Sequence, residues 1–159
     1  MATGNKILIE SEPKGKFVEG YVTGTPKPGT MMQIDVSEAK VGGRFTYEVY
    51  APGADGAKSG PVFILLEDSL QGKTMDTAYA TGDRCFLYVP YPGDELNILV
   101  ADVAGTGDDH AVGDLVIPDN TTGKFIATTG SPEIEPFQLL EAATDPTADA
   151  LMHAIYTGN

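Results

Sequence analysis

GDRCFLYVPYPGDELNILVADVAGTGDDHAVGDLVIPDNTTGKFIATT, residues 82–129, sets short apolar runs against turn dipeptides. Four Gly-Asp pairs (Gly82-Asp83, Gly93-Asp94, Gly107-Asp108, Gly113-Asp114) punctuate it, and three of them lead straight into runs rich in Leu, Val, Ile, Phe or Tyr. Short apolar runs closed by Gly, Pro, Asn or Asp are the pattern of strands in an antiparallel sheet. Working outward, Met31 to Val36 alternates Met32, Ile34 and Val36 against Met31, Gln33 and Asp35. Arg44 to Tyr50 sets Phe45, Tyr47 and Val49 against Arg44, Thr46, Glu48 and Tyr50, the clearest half-buried strand. PVFILLE, 61–67, is continuously apolar and is expected to be buried on both faces, in the core or a subunit interface. Thr25-Pro26-Lys27-Pro28-Gly29 reads as a turn, 51–60 as an exposed loop, and 69–81 as a long loop or single helical turn. The fold class is therefore all-β: an antiparallel β-barrel or β-sandwich with long loops.

At 159 residues, one domain with an arm or tail is expected. The organisation read here is an extended N-terminal arm, 1–18, and a single β domain, 19–159. Within the arm, Ile7-Leu8-Ile9 is too short a run to found a core, yet it suits addition to another sheet. A first strand paired inside the same domain is the alternative. The tail also stands open. Asp145, Pro146 and Gly158 would cap a helix, the form local propensity favours, whereas 137–143 and 151–156 read equally as two strands.

The net charge of −13 is unevenly distributed. Residues 1–60 hold seven bases and seven acids; residues 61–159 hold three bases (Lys73, Arg84, Lys124) against sixteen acids, which accounts for all of it. Such a surface repels nucleic acid at long range. It also describes a two-sided molecule, with a neutral, lysine-bearing region turned to a partner and an acidic body turned to water. No apolar stretch approaches the roughly 18 residues of a membrane span, and MATGNKILIE lacks the layout of a secretory signal. Cys85 is the sole cysteine, so no intrachain disulfide forms; inside CFLYV it is read as a small buried hydrophobe.

Few groups invite chemistry. Asp108-Asp109-His110 is the only acid–histidine cluster and reads as a turn; Asp119-Asn120 and Asp55-Gly56 read likewise, rather than as calcium ligands. His153 is expected to be satisfied or interfacial. Dinucleotide, Walker, G-x-S-x-G and H-E-x-x-H patterns are missing, and no enzyme, metal or cofactor is expected.

The series GDLVIPDNTTGKFIATTG (113–130), a turn, and LLEAATDPTADALMHAIY (139–156) resembles the closing portion of the head-decoration, or cement, proteins of tailed bacteriophages. There a Gly-Asp turn opens a strand, a Thr-Gly-Lys hairpin returns it, and an L-E-A-A-T strand precedes a final apolar strand. The match covers about the last third of the chain. It implies an all-β barrel or sandwich whose tail is two strands, usually a homotrimer on the outer capsid surface of the virion, assembled in the host cytoplasm. The implied partner is the major capsid protein, whose neighbouring subunits it would bridge and stabilise, with no nucleic acid or membrane partner. On that footing the arm residues Lys6, Ile7, Leu8, Ile9, Lys14 and Lys16 are the candidate capsid contacts. The rival expectation is a carbohydrate-binding β-sandwich of a phage fibre or adhesin, with Tyr50, Tyr88 or Tyr91 as sugar platforms.

Overall fold

The computed structural model describes residues 7–8, 14–51, 61–101, 110–119, 121–127, 137–143 and 148–158. The 51–60 loop, apart from Ala51, therefore lies outside the described residues. The chain is all-β, as expected. Among the described residues, ten strands form two closed five-stranded barrels. The first contains β1 (Lys16–Val22), β2 (Met31–Ile34), β3 (Thr46–Val49), β4 (Phe63–Leu65) and β5 (Arg84–Val89), in the order β1-β3-β2-β4-β5. The second contains β6 (Glu95–Val100), β7 (Leu115–Pro118), β8 (Phe125–Ala127), β9 (Phe137–Leu139) and β10 (Ala150–Tyr156), in the order β10-β6-β8-β7-β9. Each barrel closes through one short parallel pair among antiparallel ones, β1 with β3 and β6 with β8. Between β4 and β5 a single 3-10 turn, Ser69–Gln71, is capped by the Asp68 carboxylate.

The Gly-Asp pairs share one construction. Ala80, Tyr91 and Ala111 each donate a backbone N–H to the carboxylate three residues on, at 2.8, 2.7 and 2.7 Å to Asp83, Asp94 and Asp114. Each aspartate N–H returns to the same residue's carbonyl, at 2.9, 2.9 and 3.1 Å. The intervening Gly82, Gly93 and Gly113 hold φ of +88°, +97° and +97°, where a Cβ is disfavoured. Three copies of one turn thus launch β5, β6 and β7. The fourth pair, Gly107-Asp108, lies outside the described residues.

Side-chain alternation explains why the first barrel's strands are so apolar. Val22, Met32, Tyr47, Phe63, Leu65, Cys85 and Leu87 point inward, joined by Tyr79 from the preceding loop, whose hydroxyl donates to the Leu66 carbonyl at 2.8 Å. Their neighbours Met31, Tyr50, Ile64 and Tyr88 enter a second cluster with Leu96, Ile98, Val100, Val116, Phe125, Phe137, Leu139, Met152 and Ala154 of the second barrel. PVFILLE is continuous because β4 serves two cores: Phe63 and Leu65 fill its own barrel, and Ile64 packs towards the other. The expected burial on both faces is intramolecular.

Backbone bonds sew the seam between the barrels. Gly29 donates to the Leu65 carbonyl (2.8 Å) and accepts from Leu99 N–H (3.0 Å); Met31 donates to the Gly123 carbonyl (2.9 Å). The domain expected over 19–159 is thus a pair of barrels sharing apolar contacts.

The tail adopts strands rather than the helix that propensity favoured. β10 lies between β6 and β9, six residues in register with β6, and its Met152 and Ala154 are buried. Neighbours on both sides, with alternating burial, outweigh local propensity.

The arm also differs from expectation. Lys16, Phe17 and Val18 already belong to β1, paired with Val89, Tyr88 and Leu87. Ile7 is fully buried, donating its N–H to Glu67 Oε2 (3.1 Å) and accepting at its carbonyl from Asn97 N–H (2.6 Å); Leu8 bridges to Leu96. Long-range pairing within the chain places these residues, the alternative that local patterning left open.

Candidate functional site

Of the six arm residues expected to touch a partner, Ile7 has no surface to offer, and Leu8 is half-buried against the second barrel. Lys14 is exposed, though its backbone N–H reaches Asp94 Oδ1 at 3.4 Å. Lys16 is exposed at the first residue of β1. Lys6 and Ile9 lie outside the described residues.

The proposed sugar platforms fare unequally. Tyr88 is fully buried and its hydroxyl donates to Asp94 Oδ2 at 2.5 Å; Tyr50 is only 8% exposed. Neither presents a ring face to solvent, and of the three only Tyr91, at 56%, does. Arg44 to Tyr50 reads as half-buried in sequence, with Tyr50 on the polar face, but Tyr50 and Tyr88 both pack in the cluster shared with the second barrel.

Cys85 is buried in the first barrel, and burial pushes its thiol up to about 12. A thiol so placed holds almost no thiolate at neutral pH. We expect alkylation by iodoacetamide at least a hundredfold slower in the native protein than in urea, followed by mass; comparable rates would contradict this burial. His153 Nε2 lies 2.8 Å from Glu95 Oε2, the satisfied state expected of it. His110 is 2% exposed, and its backbone pairs with Ala143 in both directions. Asp108 and Asp109 lie outside the described residues. Asp119 accepts from Thr121 N–H, Thr122 N–H and the Thr122 hydroxyl at 3.0, 2.8 and 2.8 Å, the turn role read for it. Asn120, Asp55 and Gly56 are not described. Among the described residues no three His, Cys, Asp or Glu gather as a metal site.

A groove of about 310 Å³ opens between the barrels, bordered by Lys27, Thr30, Leu99, Thr122, Lys124 and Asp149. Lys124 Nζ is held by Asp149 Oδ2 at 2.6 Å. It is the only base in residues 90–159, which carry twelve acids and so a net charge of −11.

A different surface forms on the first barrel. In β1, Phe17 and Glu19 sit opposite Tyr88 and Phe86 of β5, with Arg84 two residues beyond Phe86 on the same face. Glu19 gathers two guanidiniums: Arg44 from the β2–β3 hairpin, at 2.7 Å, and Arg84. Arg84 also lies 5.2 Å from the Phe86 ring centroid. In the hairpin, Val41 and Arg44 exchange two backbone hydrogen bonds of 3.0 Å around Gly42-Gly43, and Lys40 Nζ stands 4.0 Å from the centroid of Phe45. Phe17 of β1 and Val36, Val41 and Phe45 of the hairpin are exposed, at 59%, 93%, 51% and 39%. Residues from two strands and a hairpin make this strip, and sequence reading missed it. The one local signal was Arg44 beside Phe45 after Gly42-Gly43.

No family model matches the sequence, and no curated protein matches it. Among solved structures, the chain is similar to the N base of the head fiber gp8.5 of bacteriophage phi29, with a TM-score of 0.54 and 10% identity. The likeness covers 90% of this chain and 94% of that one. At that identity what the two share is the fold.

Proposed function

We propose that this protein is a structural component of a phage virion that binds the outer surface of the head and stabilises it by bridging neighbouring capsid subunits. The observation that carries the reading is the likeness of nearly the whole chain to the base of a phage head fiber. The cement-protein pattern of residues 113–156, which folds as β7 to β10, supports it from a separate direction. Two closed barrels suit such work physically. Closure pairs each described strand on both sides, so among the described residues no sheet edge is left open to aggregate. Affinity then comes from area and from repeated attachment across a symmetric shell. On this reading the protein works without a catalytic step or cofactor, as a homotrimer on the major capsid protein.

The test is cosedimentation with purified capsids of the phage that carries this chain, with capsid rupture on heating as the second readout. Saturable binding at a fixed number of copies per shell, with rupture displaced upward, is expected. Failure to sediment with capsids rejects the reading. The carbohydrate alternative keeps Tyr91 alone of its three tyrosines, and no other observation favours it.

A further inference from the structure

We propose that the strip on the first barrel, Phe17, Lys40, Arg44, Phe45 and Arg84, is the docking surface, and that its partner is a protein face bearing carboxylates. The proposal rests on the reading above in taking the capsid exterior as that partner. Two of its three cations, Arg44 and Arg84, share one carboxylate, Glu19, and with Lys40 the strip gathers three of the chain's ten bases, beside the hairpin acids Asp35 and Glu38, in a molecule of net −13. Among the described residues Lys40 has no carboxylate within ion-pair distance; its ammonium rests on Phe45 instead. Arginine and aromatic side chains together are what the energetic centres of protein interfaces are made of. Phe17 and Val36 gain nothing from water at 59% and 93% exposure, and covering them returns that loss. The hairpin tip is held by its paired backbone and Arg44 by Glu19, so little ordering remains to be done on docking. Charge complementarity selects the partner. The second half of the chain would be repelled by an acidic face that the strip attracts.

The experiment compares Phe45→Ser, Arg84→Glu and Lys40→Glu with Val112→Glu, an exposed site on the second barrel, all as full chains, for binding to the capsids named above. Native thermal transitions establish that each variant folds; Phe45 and Arg84 are partly exposed and should tolerate change. A loss of about tenfold or more for the strip variants, against little change for Val112→Glu, supports the proposal. Equal binding by all variants overturns it while leaving capsid attachment standing. Absence of binding by the unaltered chain overturns both. Should the strip variants instead change only the sedimentation of the free protein, the occupant is a second copy and the proposal fails.

Discussion

Asp94→Ala destabilises the protein by about 3 kcal/mol, because it empties the acceptor of a charge-assisted hydrogen-bond network with no access to water. Asp94 is fully buried. Its carboxylate accepts from the Tyr88 hydroxyl at 2.5 Å, the Tyr91 N–H at 2.7 Å and the Lys14 N–H at 3.4 Å. The Tyr88 hydroxyl in turn accepts from Gly15 N–H at 2.7 Å. One side chain thereby ties the entry to β1, the outer face of β5 and the turn into β6. For a chain of this length the loss corresponds to a drop in Tm of about 10 °C. Asp94→Asn keeps the shape but turns an amide donor towards one of these donors, and should fall between wild type and alanine.

The same group predicts a pH dependence. Burial alone would raise its pKa, but the hydrogen bonds from Tyr88 and from the Tyr91, Lys14 and Gly15 amides outweigh that and hold it below the ordinary 3.8. A folded pKa below the unfolded one gives stability that is complete above the unfolded value and lost as pH falls through the folded value. The gap between wild type and Asp94→Asn in urea denaturation should be full at pH 7 and shrink below about pH 4. A gap unchanged between pH 7 and pH 3 would show that the carboxylate's charge contributes nothing.

Asp94 also shows what local sequence can and cannot reveal. As the second member of a Gly-Asp pair it is legible as a turn residue, and the turn is built as that reading implies. That its carboxylate also receives the hydroxyl of Tyr88 depends on how β5 and β6 pair with the rest, and nothing near residue 94 encodes it. The same boundary runs through the whole fold. Turn chemistry and period-two alternation mark β2, β3, β5, β6 and β7 because those signals act within a few residues. Division into two barrels depends on β1 with β3 and β6 with β8, parallel pairs that join distant segments. Ile7 stays open between an outward arm and an inward strand for that reason: a three-residue apolar run is ambiguous until its partner, β6, is known. The exposed strip was hidden likewise, since Glu19, Arg44 and Arg84 meet only after β1 has found both β3 and β5.

Gly29→Ala should weaken the seam between the barrels, and a second glycine calibrates the effect. Gly29 holds φ of +86°, and an added Cβ would stand 2.9 Å from the Leu99 backbone nitrogen and 2.8 Å from Leu151 Cδ2. Gly82 holds nearly the same φ, +88°, with nothing within 4 Å of the Cβ it lacks. Gly82→Ala therefore measures the conformational cost alone, about 1 kcal/mol. Gly29→Ala pays that and must also push β6 away from the turn, stretching the bonds Gly29 makes to Leu65 and Leu99. We expect a total of about 3 kcal/mol, in the range seen when a closely packed site is overfilled on top of backbone strain. Chemical denaturation of both variants gives the difference directly. Because Gly29 joins β4 of one barrel to β6 of the other, the slope of the transition carries further information. A single transition of unchanged slope means the barrels unfold together even with the seam loosened. A shallower or split transition means the seam is what makes them one cooperative unit. Equal losses at Gly29 and Gly82 would leave the close approach of turn and strand without energetic weight.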